Sequence, residues 1–497
     1  MKRIVAFGVA ASLALGAHAA RAYDPATTHA GLTARAVLAS SLHKVLARRL
    51  ARPLGVFEPV ALRSELLPTD EARSLGARLG ALDPAGGYRP GEDGSAPALA
   101  WVVAGAVIAN TPAERGRNLF YDPSRGTGLG GENVSFGQSL RQLFDGGGFR
   151  DLATGTDFNG SGLPATEWLL SPDNDVGLVA FQRELENSVA APEPAARGTA
   201  LARSLLALGG TLAVLEDAGE PAHVRNDFAG AFLSRGRGDR GTPFDRGSAF
   251  ERFVADTYGR TAVPSPAPAV SRPNVLAYIT AADRQGLADR TQRRFFSAGT
   301  VPEDAIVDRD TTPAEVMRDA RASLVYGLPK LPRLELATLG RKRYASYEGR
   351  RLLAYERVAG RVRFFLDDAV YADTARALLP EVGAYATGLV DLLFRAELLV
   401  SVDAGAVVVR VAGARGAATG RVRVFAEDAQ GLRTELGAAP LAAGDGGASV
   451  ASVAIPSGAL PAGTRRIAAA LVGKDDAGDL VAVAEGAPPL PRALPDR

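Results

Sequence analysis

Apolar residues recur at close to a 3.6-residue period in several segments of the chain, and such a stripe predicts an amphipathic helix. The clearest of these predicted helices cover residues 33–50, 200–217 and 370–396. Gly-, Asp- and Arg-rich stretches at residues 146–162 and 234–247 predict long loops between helices. The pattern from residue 23 to about 260 is therefore mainly helical.

After residue 398 the pattern changes to short β-branched runs separated by Gly-rich turns, which predicts an antiparallel sandwich. The runs are residues 401–403, 407–411, 420–425, 448–455 and 467–472. We therefore predict a mainly α N-terminal domain followed by a C-terminal all-β, sandwich-like domain. The predicted bounds are 23–262 for the helical domain, 263–397 for a proline-led linker and further helices that pack on it, and 398–497 for the sandwich.

The first 22 residues have the layout of a secretory signal peptide. Met1-Lys2-Arg3 is basic, residues 4–17 are apolar, and small-residue cleavage patterns follow. The alternative is an uncleaved anchor, but the apolar run is short for a membrane span, and no later stretch approaches 18 uninterrupted apolar residues. We expect a soluble, secreted or periplasmic protein, and cleavage after Ala22 would make Tyr23 its first residue.

Composition excludes much of the remaining chemistry. The chain has no cysteine and four histidines, so disulfides, thiolate zinc sites and cysteine nucleophiles are excluded. The first 22 residues hold three cations and no acid, and removing them changes the formal charge from +2 to −1. The mature chain thus has no global basic footprint for nucleic acid or anionic membranes. The composition does not identify a binding partner.

Two segments carry candidate chemistry: NLFYDPSRGTGL at residues 118–129 and LGGTLAVLEDAGEPAHVRND at residues 208–227. In the second, a helix ends near Asp217 and a Gly/Pro turn brings His223 towards that carboxylate. A histidine beside a helix-terminal acid is suited to bind a metal or act as a general base. The alternative is a loop histidine that holds the turn by hydrogen bonding.

With THAGLT at residues 28–33 and SAFERFV at residues 248–254, these segments resemble the zinc-dependent phospholipase C and single-strand nuclease superfamily. The blocks span residues 23–254, about half of the chain. The resemblance implies a helical bundle with three zinc ions, held by the N-terminal residue, five histidines, two aspartates and a glutamate. Its activity would be metal-dependent phosphoric ester hydrolysis, in which the metals generate hydroxide and neutralise phosphoryl charge. It also implies contact with phospholipid or the cell envelope.

Carried over residue by residue, the implied ligand set is incomplete in this chain. The retained metal-ligand positions are Tyr23, His29, Asp217, His223 and Glu251. Asp217 is also the candidate catalytic residue. The lost positions are Asn110, where the family has aspartate, and Leu119, Ala213 and Gly247, where it has histidine. No histidine follows His223, and His43 is expected to be an ordinary side chain of the first helix.

The leading hypothesis is a protein with a degraded zinc site, non-catalytic or weakly active, that binds at most one or two metals. The alternative is an active phosphodiester hydrolase with a reduced metal site. Because an unpaired buried charge is costly, Asp217 should pair with Arg225, Arg115 or a histidine if its central metal is lost. Asp475, Asp476 and Asp479 are expected to form a solvated loop rather than a calcium site.

Overall fold

The fold was examined in a computed structural model of the 497-residue chain. The structure describes residues 25–80, 82, 91, 93–111, 113–129, 162–227, 248–258, 267–301, 305–306, 342–347, 349–358, 361–403, 405–443, 449–455, 458 and 460–486. The predicted signal peptide, the predicted loops within residues 146–161 and 234–247, and most of the proline run at residues 263–268 lie outside these ranges.

Helices dominate the N-terminal region, as the apolar periodicity predicts. They are α1 (Ala30–Ala39), α2 (Leu42–Arg49), α3 (Thr69–Gly80), α4 (Ala98–Ile108), α5 (Ala165–Leu170), α6 (Leu178–Ala190), α7 (Pro194–Asp217), α8 (Ala249–Thr257), α9 (Leu276–Ile279), α10 (Leu287–Arg294) and α11 (Asp368–Leu393). A π-helical turn over Pro25–His29 leads into α1, and 3₁₀ turns cover Gly55–Phe57, Ser64–Leu66, Ala113–Leu119, His223–Arg225 and Ala298–Thr300.

The first predicted helix, residues 33–50, is broken into α1 and α2. At the break, the Ser40 hydroxyl donates to the Val37 carbonyl and accepts from the Leu42 amide. Serine competes for backbone groups in this way, which favours helix ends over helix interiors. The prediction of a single helix was therefore wrong. His43 lies on α2, exposed, with its ring 6.2 Å from that of Phe57.

The core of the helical region is the close crossing of α7 and α4, and glycine makes this crossing possible. A Cβ at Gly105 would lie 1.9 Å from the Leu206 carbonyl oxygen, and one at Gly209 would lie 1.8 Å from the Val102 carbonyl oxygen. Helix α7 is long and apolar enough to cross a membrane by length and composition, but 89% of its most apolar window is buried inside the protein. Core burial accounts for its hydropathy.

The strands are antiparallel. They are β1 (Pro59–Ala61), β2 (Ser95–Pro97), β3 (Ala305–Ile306), β4 (Arg343–Tyr347), β5 (Arg350–Val358), β6 (Arg361–Phe365), β7 (Glu397–Asp403), β8 (Ala406–Ala412), β9 (Thr419–Glu427), β10 (Arg433–Pro440), β11 (Ala442–Ala443), β12 (Ser449–Ala454), β13 (Arg466–Asp475) and β14 (Gly478–Glu485). Strands β1 and β2 form a ribbon, and the others form sheets ordered β3-β6-β5-β4, β10-β9-β13-β14 and β11-β12-β8-β7. The β4–β6 hairpins were not predicted from the sequence.

The C-terminal region is a region of antiparallel sheets, as predicted, and one of its sheets has apolar side chains on both faces. Along β13, Ile467, Ala469 and Leu471 belong to the core between the two C-terminal sheets. The alternate residues Ala468 and Ala470 belong to the core shared with the helices. Because successive strand residues point to opposite faces, this sheet packs on the helices as well as on its partner sheet.

Arginine side chains that pair with carboxylates lie where the helices meet the C-terminal sheets. Arg433, whose side chain is 1% exposed, contacts Glu427 and Glu485 and donates to the Val189 carbonyl. Arg395 binds both oxygens of Asp475 at 2.7 and 2.8 Å, and the Asp475 side chain is fully buried. The expectation that Asp475 is a solvated loop residue was therefore wrong, because its partner lies 80 residues away in sequence.

Candidate metal centre

The two sequence motifs meet at the end of α7. The chain leaves that helix at Asp217 and makes a 3₁₀ turn over His223–Arg225. The Phe120 ring stacks on the His223 imidazole with centroids 4.1 Å apart, and the Tyr121 amide donates to the His223 carbonyl at 3.2 Å. Asn226 then adopts a left-handed conformation (φ 47°) and donates to the Gly128 carbonyl. The 118–129 motif thus fixes the position of the histidine turn.

Glu251 is placed by the N-terminal cap of α8. The Ser248 amide donates to Oε2 of Glu251 at 2.9 Å, and the Glu251 amide donates to the Ser248 hydroxyl at 3.1 Å. This reciprocal pair is a capping box, which satisfies two amides at the start of the helix. The cap uses only Oε2 of Glu251, so Oε1 is left to face the core.

Glu220, His223 and Glu251 form a buried cluster with the composition of a metal site. Each offers a ligand atom within 4.8 Å of the others. Their residues are 1, 1 and 3% exposed. Nε2 of His223 lies 3.7 Å from Oε1 of Glu251, beyond hydrogen-bond distance, and neither atom has a hydrogen-bond partner. Two ligands each about 2.0–2.2 Å from one zinc ion can be about 4 Å apart at most, so this separation fits a shared ion.

Glu220 is anchored on its other side. Its Oε1 accepts from the Ser248 hydroxyl at 2.8 Å, and its Oε2 accepts from the His223 amide at 2.8 Å. One serine therefore links Glu220 to the cap that holds Glu251. Glu220 was not predicted as a ligand. The signal that could have found it is an acid immediately before the Pro221-Ala222-His223 turn.

Burial sets the charge state of this cluster without a metal. It lowers the pKa of His223 to about 4 against the attraction of Asp217, so the imidazole is neutral. It raises the pKa of Glu220 to about 7, and burial together with the charge of Glu220 raises the pKa of Glu251 well above its usual range. A neutral imidazole is the form that ligates metals. A divalent cation would replace the protons that these carboxyls otherwise retain.

A second buried group lies at His29. Nδ1 of His29 is 2.5 Å from Oε2 of Glu216, and Nε2 is 3.0 Å from Oδ1 of Asp217. The imidazole is fully buried between the two carboxylates. Burial lowers the His29 pKa, but the combined effect of Asp217 and Glu216 is larger and raises it to about 10. Of the partners expected for Asp217, the structure brings His29 to it. Arg225 instead donates to the Gln292 and Phe295 carbonyls, and Arg115 contacts Asp175.

The positions interpreted as lost ligands are filled mainly by packing. Leu119 is 2% exposed and Ala213 is fully buried, and both belong to the core of the helical region. Asn110 is 2% exposed, and neither of its amide atoms has a hydrogen-bond partner. Tyr23 and Gly247 lie outside the described residues. Of the retained ligand positions, the structure therefore places His29 with Asp217, and His223 with Glu251.

A small cleft, with room for about one water molecule, lies next to Glu220 between the start of α8 and α11. Glu220 of the buried cluster and its hydrogen-bond partner Ser248 line this cleft. The rest of its wall is largely apolar, formed by Pro221, Ala249, Phe250, Phe296, Ala298, Leu366, Val370 and Tyr371, with Ser297 and Thr374.

Comparisons with known proteins give only distant likeness. No family model matches the chain, and no curated protein sequence matches it. Among solved structures, the alpha-toxin from Clostridium absonum covers 95% of this chain and 96% of its own, with 10% identity and a TM-score of 0.27. The alpha-toxin from the avian Clostridium perfringens strain SWCP covers 94% and 99%, with 10% identity and a TM-score of 0.25. Similarity this low does not indicate a function, so the function must be inferred from the residues of the chain's own site.

Proposed function

We propose that this protein is an exported, phospholipase C/nuclease-like protein that binds a divalent metal, zinc in the first instance, at Glu220, His223 and Glu251. In this proposal the metal holds the fold together, and hydrolysis of phosphoric esters is absent or weak. Export is supported by the signal-peptide layout of residues 1–22. The superfamily assignment is supported by the order and spacing of the four sequence blocks.

The observation that carries the metal proposal is the pair of unsatisfied atoms on His223 and Glu251. Buried polar atoms almost always have hydrogen-bond partners, so each exception requires an explanation. Here two exceptions lie 3.7 Å apart, and Glu220 completes a set of three ligands. His223 and Glu251 are each anchored by a stack or hydrogen bond that leaves a ligand atom without a partner, whereas each oxygen of Glu220 accepts one hydrogen bond. Such supporting contacts orient the ligands of established metal sites.

Burial favours a structural over a catalytic metal. A catalytic zinc keeps an open position for water or substrate, whereas a structural zinc is enclosed by protein. His223 and Glu251 are almost fully buried, and Leu119 and Ala213 pack at positions where the family has histidine ligands. When bound, the metal would cross-link the turn after α7 to the start of α8.

The alternative function, a hydrolase with a reduced metal site, is supported by the retained Asp217. Neither oxygen of this carboxylate accepts a hydrogen bond, and its contact with His29 is an ion pair. A second metal at this position would give the binuclear arrangement that can activate water and stabilise a leaving group.

The test is to measure metal content and turnover on the same exported protein. We expect about one tightly held zinc per chain by elemental analysis, lost in Glu251→Gln and His223→Gln, with no metal-dependent release of product from phosphatidylcholine or single-stranded DNA. Glu184→Gln is the matched control, because Glu184 is a buried carboxylate that contacts Arg183 and Arg203 outside the site.

Each of the other possible results has a distinct interpretation. A metal-free wild type would overturn the metal proposal. Two or more zinc ions together with metal-dependent turnover that Asp217→Asn abolishes would establish the alternative function. Zinc retained by Glu251→Gln at unchanged affinity would place the metal elsewhere.

A further inference from the structure

The His29 imidazole is held from both sides by consecutive residues of α7. Glu216 contacts Nδ1 and Asp217 contacts Nε2, so the two carboxylates flank one ring. Glu216 is itself fixed, because its Oε1 accepts from the Thr33 hydroxyl at 2.8 Å. Thr33 lies four residues after His29, which puts both on the same face of the chain as it enters α1. All four residues are fully buried.

These contacts assign different roles to the two carboxylates. Both oxygens of Glu216 are used in hydrogen bonds, one with Thr33 and one with His29. Neither oxygen of Asp217 accepts a hydrogen bond, although the residue is fully buried. Asp217 thus contacts His29 without accepting a hydrogen bond, whereas each oxygen of Glu216 already accepts one.

We propose that Glu216 is a positioning residue. It holds the Nδ1–H of His29 so that, when an incoming ion displaces the proton on Nε2, this nitrogen and Asp217 together present a second metal position beside the Glu220, His223 and Glu251 site. This inference rests on the proposed function, because it adds a second ion to the same centre. A carboxylate that accepts from the far nitrogen of a ligating histidine fixes the tautomer and ring orientation, and its loss commonly costs about 10–100-fold in metal affinity.

The resemblance to the zinc superfamily assigned no role to Glu216. The sequence predicted Asp217 and His29 as ligands and treated the residue between Leu215 and Asp217 as part of the helix. Its role becomes visible only because the last turn of α7 meets α1, 187 residues away in sequence.

The experiment titrates the metal-free exported protein with Co²⁺ alone and follows its visible absorption and binding stoichiometry. Wild type should bind one equivalent tightly, as the proposed function expects, and a second equivalent too weakly for it to survive purification. Glu216→Ala should keep the first and weaken the second about 10–100-fold, with a changed cobalt spectrum for that equivalent. Glu216→Gln, whose amide oxygen can still accept from Nδ1, should retain most of the second equivalent. Glu184→Gln is again the control and should match wild type.

The outcomes separate this inference from the function on which it rests. If wild type binds one equivalent that Glu251→Gln removes, the proposed function stands and the second position is refuted. If wild type binds no Co²⁺, both are refuted. If Glu216→Ala, folded by circular dichroism, binds the second equivalent with wild-type affinity and spectrum, Glu216 is not a positioning residue. A purely structural Glu216 would change stability but would leave the spectrum of the second equivalent unchanged.

Discussion

Two groups of buried ionisable side chains lie in different parts of this molecule, and they differ in how many of their charged atoms have a hydrogen-bond or ion-pair partner. One group joins the helices to the C-terminal sheets: Arg197, Arg395, Arg433, Glu427, Asp475 and Glu485. The other lies around the end of α7: His29, Glu216, Asp217, Glu220, His223 and Glu251. The first has three cations for three carboxylates, whereas the second has four carboxylates and two histidines.

Unsatisfied polar atoms distinguish a candidate ligand site from a structural ion-pair network. At the interface, Arg395 binds both oxygens of Asp475, and Arg433 reaches two carboxylates and a carbonyl. At the end of α7, by contrast, Nε2 of His223, Oε1 of Glu251 and both oxygens of Asp217 have no hydrogen bond. Interface side chains are up to 12% exposed, whereas the residues around the end of α7 are at most 3% exposed, so the unsatisfied atoms lie where an unpaired charge costs most and a bound cation would stabilise most.

The largest effect is expected from removing an interface arginine. Arg433→Ala should lower the free energy of unfolding by about 3–5 kcal/mol, because it leaves the carboxylates of Glu427 and Glu485 buried without this cation. Urea unfolding measures the change. Arg466→Ala is the matched control, since Arg466 is 45% exposed and contacts Glu485 at only 3.7 Å. It should cost less than about 1 kcal/mol. Equal losses in the two variants would contradict a satisfied network at the interface.

Next in size is the effect of the metal, which should act on one group only. Zinc at about 100 times its Kd should raise the free energy of unfolding by about 2.7 kcal/mol. Arg433→Ala should keep this increment, and Glu251→Gln should lose it. Without metal, Glu251→Gln should be as stable as wild type or more so, because it removes a buried carboxyl that has an unsatisfied oxygen. Thermal unfolding of wild type and both variants, each with zinc and with chelator, measures these increments, and a zinc increment preserved in Glu251→Gln would show that the metal does not bind at this residue.

The sequence predicts one of these groups better than the other. His29, Asp217, His223 and Glu251 stand in recognisable blocks, and the helical periodicity of residues 200–217 matches all but the first six residues of α7. Glu216 and Glu220 could not be assigned, since each is a polar residue beside a known position and gains its role from distant contacts with His29 and Ser248.

The interface was predicted less well, for a physical reason. Asp475 lies among other acids near a turn, a composition typical of solvated loops, and only the fold brings Arg395 to it. The strands Arg343–Tyr347 and Arg350–Val358 also escaped prediction, because their many arginines obscure the apolar alternation. Hydrophobic periodicity indicates which face of a segment is buried. It does not indicate a charged side chain that is buried together with an oppositely charged partner.

A smaller effect is expected from acid. The hydrogen bonds from Arg351 lower the pKa of Asp373 to about 2. Because the folded pKa lies below the unfolded value of about 3.9, this carboxylate contributes stability above pH 4 and loses it as the pH falls towards 2. Asp373→Asn should cost about 1–2 kcal/mol at pH 7, and the difference from wild type should shrink below pH 4 to a small remainder at pH 2. Melting temperatures of both proteins between pH 2 and 7 test this. A constant difference would mean that the aspartate acts by packing rather than by charge.

The smallest effect should come from an ion pair that is neither buried nor part of a ligand site. Arg423 is 34% exposed and shares its guanidinium between Glu186 at 3.1 Å and Glu435 at 2.7 Å. Glu186→Gln should change the free energy of unfolding by about 0.2–1 kcal/mol, because solvent screens the pair and Glu435 remains as a partner. The difference should shrink further when the ionic strength is raised to 1 M, where the Debye length is about 3 Å. Urea unfolding at low and high salt measures it. A salt-independent loss as large as that of Arg433→Ala would show that burial does not separate this pair from the interface network.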